Sequence, residues 1–240
     1  MDPGPDSLQA ALARAALLGL LAWSGTAWAR SPFQLRCEEA AAAARAGFSS
    51  HAAGYRIDNS LSYRSLTAMK RPGVANGMVL GLTRTETRVG VRIDGLLLED
   101  PTGRWECVAP RVDVSLFYPP ITVFIGSEFV PGTCAYREIL AHEMRHLESY
   151  LAWLPKVEAR IRARMAPRYA GKPFYAPRGE ARAMLQQDID RNWMPYIKSE
   201  MMRIETLQAA IDSPREYARL SKVCRGEVQS LIGPARASSS

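Results

Sequence analysis

The sequence predicts an α+β fold: a small, mainly antiparallel sheet, then a helix that carries the motif H-E-x-x-H, then a long C-terminal helical hairpin. Segments that alternate apolar and polar residues lie together in 78–130, whereas segments with helical periodicity lie together in 133–230. Separate blocks of strands and helices indicate an α+β fold rather than a doubly wound sheet. The 240 residues are enough for one core of this kind.

Residues 1–29 are typical of a signal peptide. An apolar run from Ala15 to Trp23, too short to cross a bilayer comfortably, precedes the cleavage-site pattern Ala27-Trp28-Ala29. We therefore expect a mature chain that begins near Arg30, has no stable membrane span and is extracytoplasmic, either periplasmic or secreted. Acidic residues near the start depart from the usual basic n-region, which leaves two alternatives, a start codon downstream of Met1 and a retained anchor.

Residues 30–236 are predicted to form a single domain. Its first part, 30–77, should hold a helix over Cys37–Phe48 and then a polar loop with at most a short strand at Tyr55–Ile57. The sheet should follow in 78–130, as three or four strands of which the last two are separated by Pro119-Pro120. The final residues, 237–240, read as a disordered tail.

The helical part, 133–230, should begin with the motif helix. Apolar residues at spacings of three and four predict one buried stripe on that helix, formed by Tyr136, Leu140, Met144, Leu147, Leu151 and Leu154. Pro155 should kink or restart this helix, and Pro195 should kink a second helical stretch over 180–210. Ser213 and Pro214 are typical of a helix restart, as N-cap and first helical residue.

All four cysteines lie in the predicted mature chain, and an even count in an oxidising compartment indicates two disulfides. No two of them are close enough in sequence for a zinc knuckle. Of the three ways to pair them, we favour Cys37–Cys107 with Cys134–Cys224. The first pair would tie the early segment to the sheet, and the second would tie the last segment to the motif helix.

The chain is basic, with a net charge of +7 and a pI near 9.4. The cations are scattered, without the clustered patch that nucleic-acid binding requires, so we expect no nucleic-acid partner. The expected partner is a peptide or protein substrate, and a basic exported protein could also meet an anionic cell-envelope polymer.

Two of the three histidines occur in one motif, His142-Glu143-Met144-Arg145-His146. Residues four apart lie on the same face of a helix, so both imidazoles can point at one metal ion. Glu143 can then reach a water molecule at that ion and act as general base without being a ligand. The alternative is an ordinary helix with two solvated histidines, which this register disfavours.

The motif resembles that of the zincin metallopeptidases, and the chain is also similar to short glutamate-type zincins and to bacterial families of predicted secreted zinc proteases. The clear match covers about twenty residues, 132–151, and the layout matches more loosely from 78 onward. The resemblance implies Zn²⁺ as cofactor, His142 and His146 as ligands and Glu143 as general base. The sequence lacks the third histidine of the metzincins and a clear second motif of the thermolysin type.

A third ligand must therefore be inferred from geometry. No histidine follows His146, so a downstream ligand has to be a carboxylate. Folding the helical hairpin back at a loop near Lys172 brings residues 199–203 level with the motif, which favours Glu200 and Glu205. The expected disulfide between Cys134 and Cys224 shifts the choice to Glu205, with Asp212 as an outside candidate. His51, in the polar loop, is the remaining non-carboxylate option.

The expected function is hydrolysis of peptide bonds by an exported zinc-dependent metallopeptidase. A phenol that stabilises the oxyanion could come from any of four tyrosines, between which the sequence does not decide: Tyr150, Tyr175, Tyr196 and Tyr217. The alternatives are a catalytically inactive zinc-binding protein of the envelope and a structural domain braced by disulfides.

Overall fold

The structure, a computed structural model, describes residues 30–69 and 77–232. The expected signal peptide and C-terminal tail lie outside the described residues. The helices are α1 Pro32–Ala41, α2 Tyr63–Ala68, α3 Cys134–Tyr169, α4 Ala181–Asp188, α5 Met194–Met202, α6 Ile204–Ile211, α7 Pro214–Leu220 and α8 Glu227–Ile232. The strands are β1 Arg45–Ala52, β2 Tyr55–Asp58, β3 Gly81–Arg84, β4 Arg88–Glu99, β5 Trp105–Tyr118, β6 Ile121–Ile125 and β7 Phe174–Pro177. The fold is α+β, as predicted.

The strands form two sheets, where the sequence predicted one. In the first sheet β5 pairs with β1, β4 and β7, and in the second β6 pairs with β2 and β3. The chain breaks at Pro119-Pro120, and strands β5 and β6 on either side of this break join different sheets. The consecutive strands β1 and β2 also lie in different sheets, since β1 pairs with β5 and β2 pairs with β6.

Residues 30–77 contain more strand than the sequence predicted. The chain forms β1 over Arg45–Ala52, where the end of a helix and a loop were expected, and β2 includes the short strand predicted at Tyr55–Ile57. Both strands run parallel to their partners. The pattern of β1 is polar, and none of its residues is fully buried. Hydrogen bonding to the distant strand β5 stabilises β1, rather than an apolar periodicity of its own.

Helix α3 packs against strands of both sheets and carries the motif. Thr133 caps it by accepting a hydrogen bond from the N–H of Tyr136 at 3.2 Å, and the helix continues through Pro155 to Tyr169. Its buried apolar residues, among them Ile139, Leu147 and Leu154, join the core formed by the strands. Leu151 of the predicted stripe is instead exposed.

The chain then returns along α3 in pieces. The predicted second helical stretch is divided into α4, a π-helical turn at Ile189–Trp193, α5 and α6. Pro195 stands in the first turn of α5, directly after the π-helical turn, where a residue without an N–H is tolerated. Helices α5 and α6 both pack against α3, so the expected hairpin forms with an interrupted second arm.

Both predicted disulfides are present. Cys37–Cys107 joins α1 to β5, and Cys134–Cys224 joins the start of α3 to a 3₁₀ turn at Val223–Gly226. Such pairs are typical of proteins that mature outside the reducing cytoplasm. Across the described residues, we find no helix with the length and apolar character needed to cross a bilayer.

A buried carboxylate anchors the start of α4. Glu106 on β5 is 2% exposed and accepts hydrogen bonds from the backbone N–H groups of Gly179 at 2.8 Å and Ala181 at 2.6 Å. Burial alone would raise the pKa of Glu106, but these hydrogen bonds outweigh it and the pKa lies below its usual value. The ionised carboxylate therefore stabilises the folded state.

We expect Glu106→Gln to lower the free energy of unfolding at pH 7 by about 2 kcal/mol, because the amide replaces a charged acceptor with a weaker one. Since the folded pKa is depressed, the contribution is complete above the usual pKa of 4.5 and is lost as the pH falls through the lower, folded value. Urea unfolding of wild type and variant between pH 7 and pH 3 should show two curves that converge toward acid.

The matched control is Glu99→Gln, which removes an exposed carboxylate paired with Arg178. It should cost at most about 0.5 kcal/mol. Equal losses from the two substitutions would show that Glu106 is not a stabilising anchor.

Candidate metal centre

The motif places two imidazoles on the buried side of α3. His142 and His146 are one helical turn apart, with ring centroids separated by 4.9 Å, and their side chains are 5% and 8% exposed. Each ring turns its Nε2 atom toward the other, at 3.2 Å. The two side chains therefore face a common point and not solvent.

Asp212 reaches the same point from a break between two helices. Helix α6 ends at Ile211, and α7 begins at Pro214 with Ser213 as its N-cap, accepting from the N–H of Glu216. Proline cannot continue the preceding helix, so the chain must turn here. The turn directs the Asp212 carboxylate toward α3, while 40% of this side chain remains exposed.

Three potential ligand atoms converge. Asp212 Oδ1 lies 3.1 Å from His142 Nε2 and 3.1 Å from His146 Nε2, and the two nitrogens are 3.2 Å apart. Ligands about 2.0–2.1 Å from a tetrahedral zinc ion lie roughly 3.3 Å from one another. The triangle thus has the dimensions that a zinc ion requires, and these residues could hold a metal.

The orientation of His146 is fixed by Gln208 on α6. The Gln208 amide nitrogen donates to the backbone oxygen of His146 at 3.3 Å and to Ser149 Oγ at 2.6 Å. A backbone oxygen only accepts, so the amide oxygen must face His146 Nδ1, which donates to it. The proton of His146 is therefore on Nδ1, and Nε2 presents its lone pair to the convergence point.

Glu216 and Arg145 contact the outer nitrogen of His142. The Oε1 atom of Glu216 lies 3.3 Å from His142 Nδ1, and it also accepts from Arg219 at 2.9 Å and from Arg145 in a tight ion pair. Arg145 Nη2 lies closer to His142 Nδ1, at 2.9 Å, and can only donate, so Nδ1 donates to Glu216 in one tautomer of His142 and accepts from Arg145 in the other. A metal-binding histidine is commonly held by such a carboxylate. The hydrogen bonds from Arg219, Arg145 and His142 lower the pKa of Glu216 to about 2, so it stays ionised.

A shared proton or a cation stabilises the convergence point. Asp212 Oδ1 and the two Nε2 atoms lie about 3 Å apart, so a proton on an imidazole can be donated to the carboxylate, and a metal ion between the three atoms would take the place of that proton. Burial opposes charge on both partners, yet hydrogen bonds between Asp212 and the imidazoles outweigh it, lowering the pKa of Asp212 and raising that of His146. Tyr217 also hydrogen-bonds the Asp212 carboxylate through its hydroxyl.

Glu143 lies beside this triangle and contacts β3. Thr83 Oγ1 lies 2.8 Å from the carboxylate, to which it donates, and a side chain on Gly81 would come within 2.7 Å of Glu143 Oε1. The residue is 4% exposed, and burial raises its pKa against the opposing effect of the two imidazoles. The group is therefore buried beside the candidate ligands without being one of them.

The structure corrects the expected third ligand. Glu205 is exposed on α6 and is not in the group of converging atoms. Glu200 is buried but forms ion pairs with Arg160 at 3.2 Å and Arg203 at 3.1 Å. Asp212, the outside candidate, takes the place expected for Glu205. The prediction assumed a continuous second helix, whereas β7, the π-helical turn and the helix breaks shift the register.

The remaining candidates separate as well. His51 lies on β1 and packs against Phe117, away from the triangle. Among the four tyrosines left open, Tyr217 reaches the candidate ligands, with its ring 6.3 Å from that of His142. Tyr150, Tyr175 and Tyr196 pack against Tyr118, Phe33 and Trp193 respectively. The helix restart at Ser213 was the signal for Asp212, since it places that residue in a turn.

A second cluster of possible ligands is formed by Cys134, Cys224 and Glu227. Its two sulfur atoms are joined in a disulfide and offer no thiolate to a metal. Glu227 instead accepts a hydrogen bond from the N–H of Ala135 at 3.2 Å, in the first turn of α3. This cluster therefore fixes the start of the motif helix.

Comparisons with protein-family models, with curated proteins and with solved structures found nothing that matches this chain. The resemblance to zincins thus rests on the motif residues, and it stays a prediction. What the structure adds is the arrangement of His142, His146 and Asp212 around one point.

We expect Asp212→Asn to weaken zinc binding at least about 100-fold, because a neutral amide replaces the only carboxylate in the triangle. Competition with a chromophoric chelator measures the dissociation constant. Glu205→Gln, which alters the carboxylate favoured by the sequence, should leave it within about twofold. A stronger loss from Glu205→Gln than from Asp212→Asn would reverse the assignment.

The two disulfides should differ in their effect on metal binding. The first double variant, Cys134→Ser with Cys224→Ser, opens a loop of 90 residues. The second, Cys37→Ser with Cys107→Ser, opens a loop of 70 residues. Each should destabilise the fold by about 4 kcal/mol. Because Cys224 ties the turn after α7 to the start of α3, we expect the first double variant alone to bind zinc about tenfold more weakly. Chelator competition should be done where circular dichroism shows both variants folded. Equal zinc affinities of the two double variants would show that the Cys134–Cys224 disulfide does not help to position the metal ligands.

Proposed function

We propose that the chain is a zinc-dependent hydrolase that cleaves peptide bonds. The observation that carries this proposal is the convergence of His142, His146 and Asp212 on one point, directly beside the buried carboxylate of Glu143. Two imidazoles and one carboxylate are a donor set used by catalytic zinc, which leaves a position for water or substrate. The half-exposed Asp212 side chain indicates that this position opens toward solvent.

The proposed roles follow from the contacts. Bound zinc would supply a Lewis acid for the substrate carbonyl and lower the pKa of a water molecule to about 7. Glu143 takes the proton of the attacking water as the carbon–oxygen bond forms, and gives it to the amine nitrogen as the carbon–nitrogen bond breaks. The raised pKa of Glu143 suits a group that must hold a proton between these two events.

Strand β3 supports a peptide as the substrate. It pairs with β6 along one edge, and its other edge has no strand partner among the described residues. Gly81 and Thr83 of this strand contact Glu143, so the open edge lies next to the proposed base. An extended peptide could add to this edge by backbone hydrogen bonds, which would present its amide to the centre.

Tyr217 is the phenol that we propose for polarising the substrate oxygen. The residue is 51% exposed, so a substrate can reach it. Its single hydroxyl proton faces Asp212 in this structure and would be donated to the substrate oxygen once the Asp212 carboxylate binds zinc. A preorganised donor beside the developing negative charge would supplement the metal.

We further propose that the enzyme acts outside the cytoplasm, in the periplasm or after secretion, in keeping with the two disulfides. Its substrates would be peptides or proteins of that compartment, with an anionic envelope polymer as the second candidate. A catalytically inactive zinc protein would share the metal ligands and differ only in turnover.

We expect Glu143→Gln to reduce peptide hydrolysis by at least about 1000-fold while zinc affinity changes less than about twofold, since Glu143 is a base and not a ligand. Digestion of a diverse peptide mixture, followed by mass spectrometry, measures turnover, and metal analysis measures zinc per chain. Glu148→Gln, on an exposed face of the same helix, is the control and should be active.

Two outcomes would contradict this proposal. Zinc-loaded wild type that cleaves nothing in the mixture would favour the inactive binding protein. An active Glu143→Gln variant would remove the base assignment.

A further inference from the structure

A cleft of about 740 Å³ lies beside the candidate metal centre. It is bounded by α3, α6 and α7, and its size is in the range of ligand pockets. Its lining includes Arg145 and Ser149, which lie on the face of α3 that also carries His142 and His146. A ligand in the cleft would therefore lie next to the centre.

The polar part of the cleft is cationic. Arg145, Arg215 and Arg219 line it, against the single carboxylate of Glu216. That carboxylate is already occupied, since it accepts from Arg145, Arg219 and His142. Arg219 has a second carboxylate partner in Glu138 at 2.6 Å.

Arg215 is different from the other two arginines. It is exposed in the first turn of α7, and no ion pair or hydrogen bond of its side chain is found among residues 30–69 and 77–232. Its guanidinium therefore has its donors available for an acidic group that enters the cleft. A planar guanidinium suits a carboxylate, which it can bind through two parallel hydrogen bonds.

The opposite wall is apolar. Leu207, Ala210 and Ile211 of α6 line the cleft, and Leu207 is 42% exposed. Ile211 and Ser213, also in the lining, flank Asp212. The cleft thus offers an apolar surface and a cationic surface on either side of the turn that carries the third candidate ligand.

We propose that this cleft binds an acidic group of the substrate, a carboxylate attached to an apolar segment, with Arg215 as its main contact. The proposal rests on the proposed function, which it deepens by assigning a preference for acidic peptides. The carboxylate can come from an internal Asp or Glu side chain or from the C-terminus of the peptide. Leu207 and Ile211 would pack against the neighbouring apolar side chain.

Binding can be measured without turnover by using the zinc-loaded Glu143→Gln protein. The probes are fluorescent peptides of one sequence that differ only in Glu against Gln after a leucine, each with a free or an amidated C-terminus. If the cleft binds an acidic side chain, fluorescence anisotropy should show the Glu peptides binding about tenfold more tightly than the Gln peptides. If it binds the C-terminus, the peptides with a free end should bind about tenfold more tightly than the amidated ones. Comparing the two kinds of end identifies which carboxylate the cleft prefers.

Adding Arg215→Gln should reduce the preference for the acidic peptide to about twofold, whereas Arg182→Gln should leave it unchanged. Arg182, an exposed residue of α4, is a control of equal charge outside the cleft. Arg215→Glu should reverse the preference, toward a peptide with Lys in place of Glu. This reversal would show that the change is specific rather than a loss of folding.

The outcomes separate the two proposals. A preference for acidic peptides that Arg215→Gln leaves intact, or no preference at all, overturns the cleft assignment even if the wild type is an active hydrolase. A preference that depends on Arg215, in a protein whose wild type cleaves no peptide, supports the cleft and removes the hydrolase.

Discussion

The site depends on the position of Asp212 opposite two imidazoles that lie one helical turn apart. Three potential ligand atoms meet at about 3 Å, an arrangement that a shared proton or a metal ion between them stabilises. The surrounding residues hold these atoms in place. Gln208 contacts Nδ1 of His146, and Glu216 contacts Nδ1 of His142. The helix break at Ser213-Pro214 leaves Asp212 in a turn that faces α3.

The helices, sheets and one disulfide position the same three side chains. Helix α3 is long and packs against both sheets, which gives the imidazoles a rigid base. Helices α6 and α7 bring Gln208, Asp212 and Glu216 to it from nearby positions, and the Cys134–Cys224 disulfide ties the residues that follow α7 to the start of α3. On the other side, β3 places Gly81 and Thr83 around Glu143. Ligands and base therefore come from separate parts of the fold that meet at one helix.

The sequence could predict those features whose information is local. The motif helix, the restart at Ser213 and the strands after residue 77 each have their own residue pattern, and the disulfide pairs followed from four cysteines and the expected layout. Strand β1 could not be predicted, because its pairing partner is about 66 residues away along the chain. Asp212 was ranked below Glu205 because the expected register treated the return arm as one helix, and no local pattern indicates the π-helical turn or the break after Met202.

The most direct test of the account is zinc K-edge X-ray absorption of the purified wild-type protein. The arrangement predicts one zinc ion per chain, with two imidazole nitrogens and at least one carboxylate or water oxygen at about 2.0–2.1 Å, and no sulfur scatterer. The imidazole contribution should fall by half in His146→Ala. Zinc bound through sulfur, or a protein that binds no stoichiometric metal, would contradict the claim that these three side chains form a metal centre.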